Sequence, residues 1–139
     1  MKKIALFGIQ QQGLEIADYL IKKGILISYL VTLDKKLVEK NNAAGWVDYR
    51  DFAEKNNIKV YFCKSYSLKD QADLDFISSA SIDLVLFGGW QRLVPEKIIN
   101  EIKIAIIGQH GSSEMLPRGR GRSPLSWSVL ENRKRIVWN

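Results

Sequence analysis

Residues 3–13, Lys3-Ile4-Ala5-Leu6-Phe7-Gly8-Ile9-Gln10-Gln11-Gln12-Gly13, decide the fold of this chain. Ile4, Ala5, Leu6 and Phe7 form an apolar run without polar alternation, the pattern of a strand buried on both faces. Gly8 ends the run. Leu14, Ile16, Ala17, Leu20 and Ile21 then recur at the spacing of an amphipathic helix that closes at Gly24. A buried strand, a glycine turn and a helix make the first half of a βαβ unit.

Outward from this stretch the same alternation continues. Strands are predicted near residues 3–8, 25–31, 59–62, 83–87 and 103–109, the last delivering His110 at its carboxyl end. Residues 33–42 are polar and Lys-rich, and helices are predicted over residues 46–57 and 73–80. Pro95 starts a helix that runs through Glu101, and Ser123-Pro124 reads as an N-cap with a first-turn proline for a last helix through Glu131. The expected fold class is α/β, a doubly wound, mostly parallel Rossmann-like sheet with helices on both faces. With the first and fourth strands flanking the switch point, Gly8, Gly88, Gly89 and His110 all fall at the carboxyl edge around one crevice, where such sheets bind ligands.

The turn over residues 8–13 is neither a dinucleotide fingerprint nor a P-loop, because Gln10 stands at the second glycine position and no Lys follows. It reads as a tight turn with Gln10, Gln11 and Gln12 as candidate substrate contacts. At 139 residues and 46% apolar content the chain is expected to form one domain spanning 1–139. No apolar run approaches the about 18 to 20 residues of a membrane span, and a cytoplasmic location is expected, with no membrane partner. Cys63 is the sole cysteine and reads as a packed thiol; no metal site is expected.

The formal charge of +6 is unevenly placed, with Arg118, Arg120, Arg122, Arg133, Lys134 and Arg135 near the end of the chain. Such a cluster suits a phosphate or an RNA backbone, and equally a solvated tail. His110 is the single histidine and is followed by a loop rich in arginine and glycine. A lone histidine is as often a surface or capping residue as a proton-transfer group. Trp90 reads as a stacking ring or a cleft wall, Trp127 as core, and Arg120 as a phosphate clamp or as a brace that bonds loop carbonyls.

Around that histidine, His110, Ser112, Leu116, Pro117, Arg120, Gly121 and Pro124 stand in an order that resembles the signature of the folate-dependent formyltransferases. The segment Gly88-Gly89-Trp90-Gln91-Arg92-Leu93-Val94-Pro95 is similar to the loop that lines that family's pterin pocket. The likeness covers about residues 83–131, and the preceding alternation agrees with the family's N-terminal fold. The resemblance implies a formyltransferase N-terminal domain that moves a formyl group from 10-formyltetrahydrofolate to an amine. It implies His110 and Ser112 as catalytic residues, and Gly88, Gly89, Trp90, Gln91, Arg92 and Leu93 as the donor-binding loop. Arg120 joins Gln10, Gln11 and Gln12 as a substrate contact. The acceptor would be an amino-sugar nucleotide, an aminoacyl-tRNA or another small amine, with RNA as the weaker option.

The chemistry agrees with this likeness. Formyl transfer needs a neutral amine, a donor for the tetrahedral oxyanion and a relay for the proton the amine loses; an imidazole, with an ordinary pKa of ~6.5, serves as the relay. The family's active set also contains an Asn two residues before the His and a downstream Asp. Here the Asn position is Gly108, on the same strand face as His110 by alternation, and no Asp follows Asp83. Ser112 is the expected substitute donor ahead of Gln91, and Glu114 reads as a solvated loop carboxylate. Ile136-Val137-Trp138 reads as a strand cut off as it begins, so the chain is expected to be the N-terminal part of a longer enzyme and slow or inactive as given. The alternative is a non-catalytic folate- or nucleotide-binding module.

Overall fold

The strand Ile4–Gly8 (β1) lies in the middle of a five-stranded sheet, with every residue from Ala5 to Phe7 sealed from solvent. On one side it pairs in parallel with Tyr29–Thr32 (β2), which pairs with Lys59–Phe62 (β3); on the other it pairs with Leu84–Gly88 (β4), followed by Ala105–Ile107 (β5). The order β3-β2-β1-β4-β5 places the switch point between β1 and β4, as predicted. Right-handed crossovers are compatible with this order, in which the chain passes from the β3 edge back across β1 to β4 and so reverses its winding at the switch point. The structure, a computed structural model, describes residues 2–121 and 123–139; Arg122, one of the predicted basic cluster, lies outside them.

The crossover helices are Gln11–Lys22 (α1), Lys35–Asn41 (α2), Arg50–Lys55 (α3), Gln71–Ala80 (α4) and Glu96–Glu101 (α5). One core layer joins Leu6 and Leu30 to Ala17 of α1 and Ala53 of α3, and the other joins Phe7, Val31 and Val85 to Ile77 of α4 and Ile98 of α5. Helix α2 was not predicted, although its caps are in the sequence. The Asp34 carboxylate accepts the Leu37 N–H at 2.7 Å, and Asn42 closes the helix at φ 47°.

Other boundaries moved for local reasons. Residues 25–28 are not strand, because Ile25 N–H caps α1 by donating to Leu20 O and pairing starts only at Tyr29. The fifth strand stops at Ile107 rather than 109, so Gly108 and His110 share no strand, and the same-face relation inferred from alternation does not hold. Ser123 precedes the last helix but sits at φ 53° without a side-chain cap, so its N-cap reading is also corrected.

Contacts separate a first unit, ending at Ile107, from a second, Gly108–Asn139. The second unit pairs Gly111–Ser112 (β6) antiparallel with Val137–Trp138 (β7) and carries the helix Pro124–Leu130 (α6). The strand predicted over residues 136–138 is therefore present as β7, one residue shorter. Trp127 was expected in the core but is 59% exposed, because the buried residue of α6 is Ser128, whose hydroxyl bonds back to Pro124 O at 2.8 Å.

At the amino edge of the first unit the Asp83 carboxylate accepts the Lys3 backbone N–H at 2.8 Å, with Lys103 Nζ 3.9 Å away. That hydrogen bond first, and the neighbouring lysines after it, hold its carboxyl below the usual 3.8. A depressed native pKa stabilises the folded state above the unfolded value and loses that contribution as pH falls from 3.8 through the native value. Urea midpoints between pH 5 and 2 should therefore fall less steeply for Asp83→Asn than for the parent. Parallel curves would remove Asp83 from acid unfolding.

Candidate active site

In the first unit the site grows from the contact between β1, β4 and α1. Gly8 and Gly88 are register partners, and Gly13 on α1 lies against them: a Cβ on Gly8 would stand 2.5 Å from Gly88 O, and one on Gly88 2.6 Å from Gly13 Cα. Only glycine permits this approach, the task of the third glycine in dinucleotide-binding turns. Tyr49 fills the space beyond, donating from Oη to Gln10 O at 2.6 Å. Burial pushes its phenol well above the ordinary range, so it stays a neutral donor.

Three loops meet at this carboxyl edge. Ala44 O accepts the side-chain amides of both Gln10, at 3.0 Å, and Gln91, at 3.2 Å. Trp46 donates from Nε1 to Leu33 O at 3.0 Å, and Val47 N–H to Ile9 O at 2.9 Å, so residues 44–47 strap the ends of β1 and β2. Gly89, at φ 76°, turns the chain after β4 beside the Gln10 side chain. Gln11 and Gln12 lie exposed on the first turn of α1. Of the three glutamines expected to reach a substrate, Gln10 has its amide committed to the strap.

Trp90 packs edge-on against Tyr66 at 5.2 Å and against Phe7 at 6.0 Å between ring centroids. Its indole Nε1 is buried without a hydrogen-bond partner among the described residues. Burying such a donor unpaired costs about 1 to 3 kcal/mol, so the position suits a ligand acceptor. Arg92 lies over the Tyr66 ring at 4.5 Å and donates to Gln91 O at 3.1 Å, while Leu93 is 93% exposed. Tyr66 is itself placed by the buried Asp73 carboxylate, which accepts Lys64 N–H at 2.8 Å and Ser65 N–H at 3.0 Å. Burial pushes the Tyr66 phenol up. Cys63 is buried, as predicted, and burial raises its thiol well above the usual range.

In the second unit His110 exchanges backbone hydrogen bonds with Asn139, at 3.0 and 2.8 Å, which extends the β6–β7 ladder. Its Nε2 lies 2.9 Å from Gly119 O. A carbonyl only accepts, so the contact requires a proton on Nε2 and leaves Nδ1 as the basic nitrogen of the neutral ring. Ser112 is only 2% exposed, accepts Glu114 N–H at 3.2 Å, and lies so close to Gly119 that a Cβ there would overlap its hydroxyl. Glu114 pairs with Arg118 and Arg133 at 3.8 and 3.7 Å. Arg120, read as a possible brace for loop carbonyls, makes no hydrogen bond or ion pair among the described residues, because the loop is braced by Gly119 and the Glu114 pairs instead. Ser112, Ser113, Arg120, Trp127 and Glu131 instead line a cleft of about 380 Å³.

The donor loop expected at residues 88–93 thus belongs to the first unit and the expected catalytic pair to the second. Tyr49, Tyr66 and Ala44 were not singled out from the sequence; an aromatic residue just before a helix and a tyrosine in a Ser-rich turn were the available signals. Trp127 and Glu131, four apart at the end of α6, were the signal for the cleft wall. Among the described residues no group of three His, Cys, Asp or Glu could hold a metal, and no helix is long and apolar enough to cross a membrane.

A parallel sheet of this order, with a glycine-pinned β1–α1–β4 junction and a strapped carboxyl edge, defines a Rossmann-like α/β domain. The chain is 32% identical over 130 residues to the methionyl-tRNA formyltransferase of Mycoplasmopsis pulmonis, covering 92% of this chain and 42% of that protein. The enzyme of that name from Staphylococcus epidermidis is 28% identical over 131 residues, covering 94% and 41%. The phosphoribosylglycinamide formyltransferase of Bacillus halodurans superposes with a TM-score of 0.65 at 19% identity, covering 94% of this chain and 66% of that one. Glycinamide ribonucleotide transformylase 1 of Symbiobacterium toebii superposes with a TM-score of 0.69 at 14% identity, covering 99% and 64%. No known family's sequence profile matches the chain. It spans about two-fifths of the length of the methionyl-tRNA formyltransferases it matches. These likenesses bear out the resemblance to the folate-dependent formyltransferases carried by the motif around His110.

Proposed function

We propose that the chain is the formyltransferase-like domain of an enzyme that transfers a formyl group from 10-formyltetrahydrofolate to an amine. The observation that carries this reading is the His110 geometry, in which a single imidazole is held through Nε2 so that Nδ1 is left to take a proton. In the first unit the pterin of the donor fits Gly89, Trp90, Gln91 and Arg92: the edge combines aromatic rings, an exposed guanidinium and a buried unpartnered indole N–H, as a flat heteroaromatic ring with acceptors requires. Leu93 offers an exposed apolar contact.

The donor supplies an activated formyl carbon bonded to nitrogen. The amine nitrogen bonds to that carbon, its proton passes to His110 Nδ1, the bond to the folate nitrogen breaks, and that nitrogen leaves protonated. His110 thus accepts one proton and returns one, so the ring ends each cycle neutral. Ser112, buried and bonded to Glu114, is a weaker oxyanion donor than an amide at position 108 would be. Losing one such donor costs about 100- to 1000-fold, so slow turnover is expected of this chain.

The test is tetrahydrofolate release from 10-formyltetrahydrofolate with a panel of amines that includes an amino-sugar nucleotide and an aminoacyl-tRNA. Release that depends on both protein and amine supports the reading. Donor binding without release for any amine would favour the folate- or nucleotide-binding module.

A further inference from the structure

We propose that Asn139 is a positioning residue for His110, its side-chain amide clamping the loop whose carbonyl holds the imidazole. The inference rests on the formyl-transfer reading only for the kinetic effect of that clamp. Among the described residues between Ser112 and Pro124 there is no strand or helix, so the backbone of this loop must find its hydrogen bonds elsewhere. Asn139, 29 positions from His110, supplies them.

Its main chain takes up both polar backbone groups of His110. Asn139 O accepts the His110 N–H at 3.0 Å, and the Asn139 N–H donates to His110 O at 2.8 Å. The side-chain amide then adds three bonds. Nδ2 donates to His110 O and to Glu114 O, each at 3.3 Å, and Oδ1 accepts the Leu116 N–H at 3.1 Å. These partners fix the orientation of the amide, because a carbonyl can only accept and a backbone N–H can only donate. Two donors and one acceptor on a short side chain are what the three groups require, and asparagine supplies that set. The two bonds from Nδ2 are long, so the hold comes from their joint action with the third and with the ladder bonds.

The clamp reaches the ring through the loop. Leu116 stands three residues before Gly119, and the Arg118 N–H donates to Met115 O at 3.1 Å, which tightens the intervening turn. Gly119 O lies 2.9 Å from His110 Nε2. Asn139 therefore fixes both ends of one contact: the backbone from which the imidazole projects and, through Leu116, the segment that carries its carbonyl partner. The bonds of the amide go to backbone groups and none to the ring, so it governs where Nδ1 points and not the proton that Nδ1 takes. Placement of a reacting group matters at this scale, since a misplacement of about 1 Å costs about a hundredfold in rate.

The test reads the single imidazole directly. It uses Asn139→Ala and also Asn139→Leu, which keeps the volume of the side chain and removes every amide bond. In both, the His110 Nε2–H should exchange with solvent at least about tenfold faster than in the parent. The kcat for tetrahydrofolate release should fall by about ten- to a hundredfold, with the KM for 10-formyltetrahydrofolate changed by less than about twofold. Trp138→Ala controls for general loosening, because the Trp138 ring packs against Gly111 in the same ladder. It should lower Tm while its Nε2–H exchange and kcat stay nearer to the parent than those of either Asn139 variant. The parent chain adds a check that needs no variant: the Asn139 Nδ2 protons, held by two carbonyls, should exchange more slowly than those of the exposed Asn100. Equal exchange at the two asparagines, parental kcat in a folded Asn139→Leu, or Nε2–H protection lost as fully in Trp138→Ala overturns the proposal. A parent that releases no tetrahydrofolate with any amine overturns formyl transfer instead, and the exchange rates then still decide whether Asn139 holds the ring.

Discussion

His110→Ala should lower formyl transfer by about 100- to 10,000-fold, the range for loss of a general acid–base group. Its cost in stability should be only about 1 kcal/mol, the net value of one hydrogen bond, because the ring bonds to Gly119 O while the backbone bonds to Asn139 do not involve the side chain. The two effects separate on a plot of initial rate against melting temperature. Since His110 is the sole imidazole, a ¹⁵N spectrum of its ring reports one tautomer without assignment. A protected Nε2–H with an acceptor Nδ1 is expected at neutral pH. The opposite tautomer would show that Gly119 O does not hold the ring, and unchanged turnover in His110→Ala would remove the imidazole from the reaction.

Gly13→Ala should destabilise the chain by about 3 kcal/mol, at the upper end for overpacking, and lower Tm by roughly 10 °C. Helix propensity alone predicts the opposite sign, because alanine inside a helix is favoured over glycine by about 0.5 to 1 kcal/mol. What reverses it is crowding: the new Cβ would overlap Tyr49 Oη and stand 2.9 Å from Gly88 O. Tyr49 is fully buried and tied to Gln10 O, and Gly88 O is backbone within the sheet, so neither yields easily. Gly24→Ala is the control, since nothing lies within 4 Å of its Cβ position and only the strain of φ 77° is added, about 1 kcal/mol. Denaturant midpoints compare the two. A Gly13→Ala chain as stable as the parent would mean that α1 is not pressed onto β1 and β4.

The fold was legible because its signals are local and periodic. Buried strands read as apolar runs, helices as a period of 3.6, and the alternation restricts the sheet to the doubly wound orders, of which the expected one, β3-β2-β1-β4-β5, is observed. Helix α2 was missed because its Lys-rich surface hides the apolar pair Leu37 and Val38, while its caps at Asp34 and Asn42 were present but unused. The fifth strand was overextended because Gly108 and Gln109 follow the apolar run directly in sequence, whereas the ladder with β4 ends at Ile107. Trp127 was placed in the core on residue type, yet α6 turns Ser128 inward.

By itself the sequence determined the element order, the glycine turn at the switch point and the family likeness of residues 88–95 and 110–124, all of which rest on neighbours along the chain. Tertiary structure decided which groups meet across long separations. Gln10 and Gln91 find Ala44 O, Tyr49 reaches back to Gln10, and Gly119 O selects the His110 nitrogen that carries the proton. Arg120 has no ion pair among the described residues, where its neighbours Arg118 and Arg133 have taken the carboxylates of Glu114 and Glu131. Periodicity constrains the backbone, whereas a hydrogen bond depends on distances of a few tenths of an ångström between residues far apart in sequence, and no local pattern encodes those.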